Sequence, residues 1–273
     1  MTQFDHVLIG VDFSDTTAPL LRCASELKVL GVREVTLLHV QPVVYPAAPQ
    51  VTHRATYEER LDGLAASLRK DGFQVRTLVR SGVPGSGMAA VATELSVDLI
   101  VLAAHDHGQV ARTLLGSVAS QVLQQATVPV LLERFSREEE ERPQECALRC
   151  RAKFQRPLLA TDGSESARAA EALIVRLSRD AQATILLTVL EGGDGQDGHP
   201  DLEALAARCS GKVRIRVERG RKASAEIQRV AQEEDASLIL VGRRGRGPLL
   251  DRLLGSTAEN VTQGADRPVL VIP

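Results

Sequence analysis

The sequence predicts an α/β fold of two doubly wound units, each built on an open parallel sheet. Three observations predict it. One pattern is written twice along the chain, short apolar runs recur five times in each copy, and helix-patterned stretches separate the runs. Strand–helix alternation of this kind gives an open sheet with right-handed crossovers.

The repeat sets the frame. HVLIGVDFSDTTAPLLRCASEL, from His6, aligns with RPLLATDGSESARAAEALIVRL, from Arg156. Asp12 falls on Asp162 and Ser14 on Ser164, an offset of 150. VDLIVLAAHDHGQVARTLLGSVASQVLQQATVPVLL, from Val97, aligns with ASLILVGRRGRGPLLDRLLGSTAENVTQGADRPVLVI, from Ala236. Gly116 falls on Gly255, Ser117 on Ser256 and Pro129 on Pro268, an offset of 139. The second copy is therefore eleven residues shorter. The loss lies between its second and third runs, where the first copy carries the loop QPVVYPAAPQVTHRAT, residues 41–56. The domains predicted are 1–134 and 156–273, joined by a charged linker over 135–155.

The elements follow in order. Runs 7–11, 35–40, 75–79, 99–103 and 128–132 are the strands of the first copy. Runs 157–161, 184–190, 213–217, 238–241 and 268–272 are those of the second. Most are continuously apolar rather than alternating, which suits parallel strands covered on both faces by helices. APLLRCASELKVL, residues 18–30, repeats apolar positions at steps of three and four, the mark of an amphipathic helix. The linker is dense in charge and poor in apolar residues, with room for a short surface helix.

Composition limits the function classes. With 273 residues, 44% hydrophobic and 25% charged, two ordinary globular domains are expected, since domains run about 100–200 residues. The net charge of −2 gives no basic footprint for nucleic acid. No basic and apolar leader opens the chain, and the longest apolar runs, such as 99–104, fall far short of the about 20 residues a membrane helix needs. A soluble cytoplasmic protein is expected, with no nucleic-acid and no membrane partner. The four cysteines are expected reduced, because a chain of this length needs no staples. Cys146 and Cys150 share one face if their segment is helical, without the further ligands of a zinc site.

In open parallel sheets, ligands bind beyond the carboxyl ends of the strands, where strand order reverses. After the fourth strand of the second copy come Gly242-Arg243-Arg244-Gly245, nine residues, and then Gly255-Ser256, with a helix starting near Ser256 or Thr257. Glycines let the backbone approach an anion. A loop that ends at a helix start aims unpaired N–H groups at it. The helix dipole alone contributes only about 0.3–1 kcal/mol. Charge-assisted hydrogen bonds contribute about 1.5–3 kcal/mol each, so several amides must dominate. Arg243, Arg244 and Arg246 add positive charge or simply decorate a solvated loop.

GRRGRGPLLDRLLGSTAENV reads G-x2-G-x9-G-S, and in this it resembles the nucleotide-binding signature of the universal stress protein family. LLATDGSESARAAEAL resembles that family's first strand and turn, and RPVLVI its last strand. The resemblance covers both copies. It implies two Rossmann-like domains with strands in the order 3-2-1-4-5, related by a pseudo-two-fold axis. Single-domain relatives form two-fold dimers partly through their last strands, so 128–132 and 268–272 are expected to pair within this chain as a pseudo-dimer. A homodimer of the whole chain stays open, as does an unknown protein partner.

The implied cofactor is ATP, or ADP or AMP, with Mg at the phosphates and no protein ligand for the metal named. Asp162 matches the residue facing ribose and adenine, with Thr161 beside it. Ala160 and Val189 match positions that line the adenine. Val241, Gly242, Arg243, Gly245, Gly255, Ser256 and Thr257 match the phosphate loop and helix start. The first copy departs from the signature: Ala103 stands for Gly242 and Asp106 for Gly245, while Asp12, Gly116 and Ser117 remain. A carboxylate at 4 Å from a phosphate costs about 4 kcal/mol at an effective dielectric near 20. The first site is therefore expected to bind nucleotide weakly or not at all, unless its loop moves aside.

Other signals have plainer readings. Gly85-Ser86-Gly87-Met88-Ala89-Ala90 imitates a dinucleotide fingerprint, but it is separated from its strand and missing from the second copy, so a helix start after Pro84 explains it. His105 and His107 around Asp106 lack a fixed further metal ligand and read as loop residues. Gly192, Gly193 and Gly195 belong to a shortened loop. Asp162-x-Ser164 reads as a turn with Ser164 as helix cap. No general base has supporting spacing; Asp251 and Glu259 are the candidates for a slow ATPase or phosphotransferase. A nucleotide-dependent regulatory module in a stress response ranks first, the enzyme second, and a scaffold with a vestigial site third.

Overall fold

The computed structural model describes residues 4–43, 53–104, 115–135, 142–191, 200–245 and 254–273. The first half runs β1 (His6–Gly10), α1 (Thr17–Ala24) continued by a 3-10 stretch (Ser25–Leu30), β2 (Glu34–Pro42), α2 (Arg54–Lys70), β3 (Gln74–Gly82), α3 (Pro84–Glu94), β4 (Leu99–Ala104), α4 (Ser117–Gln125) and β5 (Val130–Arg134). After α5 (Pro143–Ala152) the pattern repeats. It runs β6 (Pro157–Ala160), a 3-10 turn (Glu165–Ala167) leading into α6 (Arg168–Leu177), β7 (Thr184–Glu191), α7 (Leu202–Ala206), β8 (Val213–Gly220), α8 (Ala223–Glu233), β9 (Leu238–Gly242), α9 (Ser256–Gly264) and β10 (Val269–Ile272).

The strands form one ten-stranded sheet in the order β3-β2-β1-β4-β5-β10-β9-β6-β7-β8. Each half is parallel, and the order is the same read inward from either edge. The halves join antiparallel, with Val269 opposite Leu132, Leu270 opposite Leu131 and Val271 opposite Val130. The last strands thus pair within the chain, as the resemblance implies, and two sheet edges are removed from solvent.

Alternation along each strand feeds two core layers. Val7 and Ile9 point to the layer under α1, α2 and α6, and Leu8 to the layer under α3, α4, α8 and α9. Both layers run across the seam: Leu131 and Leu270 share the first, Leu132 and Val269 the second. The residues missing from the second copy come largely out of a helix, since α2 has 17 residues and its counterpart α7 has 5. The helix after Pro84 forms as expected, with Val83 as an extended N-cap. Among the described residues, no helix is long and apolar enough to cross a membrane.

The segment between the halves corrects two expectations. Its helix α5 is not wholly at the surface: Leu148 is exposed, but Cys146 and Cys150 face α1 and are buried. The cysteines are not all reduced either, because Cys23 on α1 and Cys150 on α5 form a disulfide across 127 residues of sequence. The sequence hides this pairing, which depends on how α5 folds back. Just beyond α5, Lys153 forms a fully buried ion pair with Glu133 of β5.

Candidate nucleotide site

Strand order reverses between β6 and β9, and the residues predicted for the site gather at the carboxyl ends of those strands. Ala160 closes β6 opposite Val241 of β9. The Thr161 N–H donates to the Leu187 carbonyl at 2.9 Å, carrying the β6–β7 ladder one step further. The Thr161 hydroxyl donates to Glu171 at 2.9 Å and accepts the Gly163 N–H at 3.1 Å. Ala160, Val241 and Val189 of β7 share one face of the sheet, packed with the layer under α8 and α9. Ala160 and Val189 remain half-buried, which leaves an apolar floor at the mouth.

Asp162 turns the chain away from β6. Its Oδ1 accepts the Ser164 N–H at 2.9 Å, an Asx turn. Gly163 then takes φ +70°, and a Cβ there would lie 2.9 Å from the Pro200 Cβ, so the position needs glycine. Ser164 occupies the cap position, but its side chain makes no cap hydrogen bond, which corrects the expected role. Its hydroxyl meets that of Ser166 at 2.9 Å, and Ser166 donates to the Arg244 carbonyl at 3.2 Å. The hydroxyls thus fasten the turn after β6 to the loop after β9. The carboxylate of Asp162 lies on the backbone of Gly245, where a Cβ would come within 2.8 Å of Oδ2.

Gly255 is the N-cap of α9, with φ −66° and ψ 146°. A Cβ there would meet the Arg243 carbonyl oxygen at 3.1 Å and the Arg244 Cα at 3.6 Å. The Gly255 N–H donates to the Arg243 carbonyl at 2.9 Å, so this amide is used inside the loop rather than aimed at an anion. The first intrahelical bond runs from the Glu259 N–H to the Gly255 carbonyl at 2.9 Å. The donors without an intrahelical acceptor are those of the first turn, at Ser256, Thr257 and Ala258. They sit at the positive end of the helix dipole.

Arg243 does not join this convergence. Its guanidinium donates to the Ala126 carbonyl of the first half, and its N–H to the Ile272 carbonyl at 2.6 Å. Burial, and Arg244 beside it, push its pKa down. Arg243 therefore acts at the seam between the halves. Glu259 also turns from the mouth, since Gln263 on the next turn of α9 donates to its carboxylate at 3.3 Å. Arg246 and Asp251 lie outside the described residues.

The first half shows the same turn with different filling. Asp12 accepts the Ser14 N–H at 3.0 Å, and Gly116 caps α4 as Gly255 caps α9. At the position of Gly163, however, stands Phe13 with φ +61°. Its ring stacks on Tyr57 at 5.7 Å between centroids and packs on His39 at 4.8 Å, with the Arg60 guanidinium 3.9 Å over it. His39 donates from Nδ1 to the Val11 carbonyl at 2.8 Å. On the other face, Gly10 replaces Ala160 and Met88 fills the space above it. Val40, the counterpart of Val189, is 7% exposed beneath α3. The apolar floor of the first half is thus covered. Ala103 stands beside it with a Cβ where Gly242 has none, and His105, Asp106 and His107 lie outside the described residues.

Sequence reading missed Glu171, Ser166, Met88 and the Phe13–His39–Tyr57 cluster. The alignment did hold one signal, an aromatic residue at the position of a turn glycine.

Comparison with known proteins decides the family. The profile described as "Universal stress protein family" matches residues 3–134 and 194–273, well over half of the chain. The chain belongs to the universal stress protein family. A universal stress protein of Mycolicibacterium smegmatis is 28% identical over 297 aligned residues, covering 97% of this chain and 96% of the relative. One of Mycobacterium tuberculosis is 26% identical, covering 97% of this chain and 95% of its own length. The likeness to these relatives thus runs along nearly the full length of both chains. Among solved structures, a universal stress protein from Archaeoglobus fulgidus superimposes with a TM-score of 0.80 at 22% identity, covering 99% of this chain and 97% of its own. That likeness supports the universal stress protein fold.

Proposed function

We propose that the second half binds an adenine nucleotide of the ATP type, and that the chain works as a nucleotide-dependent regulatory module of a stress response. The observation that carries this reading is the Asp162 carboxylate lying against Gly245, at the same end of the sheet as the half-buried Ala160 and Val189. A purine fits the floor of Ala160 and Val189, with Val241 beneath it. Asp162 accepts hydrogen bonds from a ribose. The first-turn N–H groups of α9 and the hydroxyls of Ser256 and Thr257 suit phosphate oxygens. Gly242, Gly245 and Gly255 keep side chains off the loop, and Thr161 holds the turn in place. Mg would accompany the phosphates as part of the bound ligand. The first half, with its covered floor, is assigned no nucleotide.

Binding ranks above catalysis because, among the described residues, the one candidate base, Glu259, is engaged along its own helix. Denaturing the purified protein and analysing the released small molecules tests the proposal. An adenine nucleotide, or a rise in the thermal midpoint when ATP is added, supports it. Neither a released nucleotide nor a shift defeats it in favour of a scaffold. Steady release of phosphate over many turnovers would make the protein an enzyme.

A further inference from the structure

Three sulfurs lie together where α5 packs on α1. Cys23 is bonded to Cys150, and Cys146 Sγ is 3.9 Å from Cys150 Sγ. All three ligand atoms lie within 4.8 Å of one another, and each residue is at most 2% exposed. The four-residue spacing puts Cys146 and Cys150 on one side of α5, facing Cys23. The three cysteines belong to the apolar core layer that also holds Leu27, Phe135 and Phe154.

Such a cluster suits either a soft metal ion or disulfide chemistry. Three thiolates around a copper(I) or zinc ion would leave net negative charge in this layer. Lys153, with its ammonium 3.4 Å from the Cys23 carbonyl, is already committed to Glu133. A disulfide is neutral and fits burial. We propose that Cys23, Cys146 and Cys150 form a thiol–disulfide site, a redox staple that fastens α5 to α1, closed by peroxides and opened by small dithiols.

Closure balances with hydrogen peroxide as oxidant. One thiolate attacks a peroxide oxygen, breaks the O–O bond and becomes a sulfenic acid, releasing hydroxide. The second thiolate attacks that sulfur, forms the S–S bond and expels a second hydroxide. The two protons lost by the thiols turn both hydroxides into water. Opening returns two electrons and two protons from the dithiol, which ends as a disulfide. Cys146 supplies an internal step: its thiolate attacks Cys150 Sγ, Cys23 leaves as thiolate and takes up the proton, and α1 is released without further oxidant. Access requires only that α5 lift, since its outer side, including Leu148 at 65% exposure, is solvent-facing. Cys209 is apart, and burial raises its pKa, which makes it a poor nucleophile and a built-in control.

The test treats the full chain with one equivalent of hydrogen peroxide, then alkylates it under denaturing conditions and maps the peptides. The expected result is a Cys23–Cys150 crosslink, with Cys146 and Cys209 alkylated. The thermal midpoint of the oxidised chain is expected about 5–10 °C above that of the dithiol-treated chain, and Cys209→Ser should behave the same. Cys146→Ser should keep the crosslink but slow its native-state reduction about threefold or more. Alkylation of all four cysteines, a crosslink to Cys209, or equal midpoints would overturn the proposal. A stoichiometric copper or zinc ion that survives dialysis and blocks oxidation would replace it with a metal centre. Unchanged reduction of Cys146→Ser would remove the internal step.

Discussion

Glycine positions that look alike in sequence carry different demands. A Cβ at Gly255 would press on the Arg243 carbonyl, a backbone atom, whereas a Cβ at Gly116 would meet nothing within 4 Å. Gly255→Val should therefore distort the loop against Asp162 and weaken ATP binding at least about tenfold, or 1.4 kcal/mol. Gly116→Val should leave ATP binding unchanged, and isothermal titration reads both. Phe13 shows the reverse case: an aromatic side chain in a left-handed turn, held by Tyr57 and His39 where the second half uses glycine. At Gly163, φ +70° and the closeness of Pro200 leave no such room. Gly163→Ala should cost about 1–3 kcal/mol in urea unfolding and loosen the nucleotide mouth with it.

The elements were largely legible before the fold was seen. Runs of apolar residues gave all ten strands to within a few residues, because the inner strands are buried on both faces and the edge strands β3 and β8 still alternate apolar with polar positions. The mouth was legible through Asp162 and the glycine spacing. What escaped depends on long-range closure. Arg243 reads as a phosphate ligand in sequence, yet the antiparallel seam brings the Ala126 carbonyl within its reach. The staple and the buried pair of Lys153 with Glu133 join residues far apart along the chain. Lys153→Ala should destabilise by about 3–5 kcal/mol, because it strands a buried carboxylate. The double replacement Lys153→Met with Glu133→Leu should recover most of that loss, as chemical denaturation would show. The exposed edge strand β8 carries charge instead. Arg214, then Arg216, hold the Glu234 carboxyl below its usual range, and Arg216 does the same for Glu218. A carboxylate with a lowered folded pKa contributes stability in full above its unfolded value, and that contribution is lost as pH falls from there through the lowered folded value. The urea midpoint of the wild type should thus drop more between pH 7 and pH 4 than that of Glu234→Gln.

Across the whole molecule, the repeat leaves two differently filled mouths on one sheet. The seam joins the cores, so each half supports the other, while Met88, Val40 and the Phe13 cluster cover the first mouth. In the second, Ala160 and Val189 stay half-buried and Asp162 lies against Gly245. On the proposed reading, the tandem chain offers one nucleotide site on a pseudo-symmetric body. The direct test is the stoichiometry of ATP binding by isothermal titration to the intact, nucleotide-stripped chain. One site per chain, lost in Gly255→Val and retained in Gly116→Val, is the result expected. Two sites per chain, none at all, or equal loss in both variants would contradict the account.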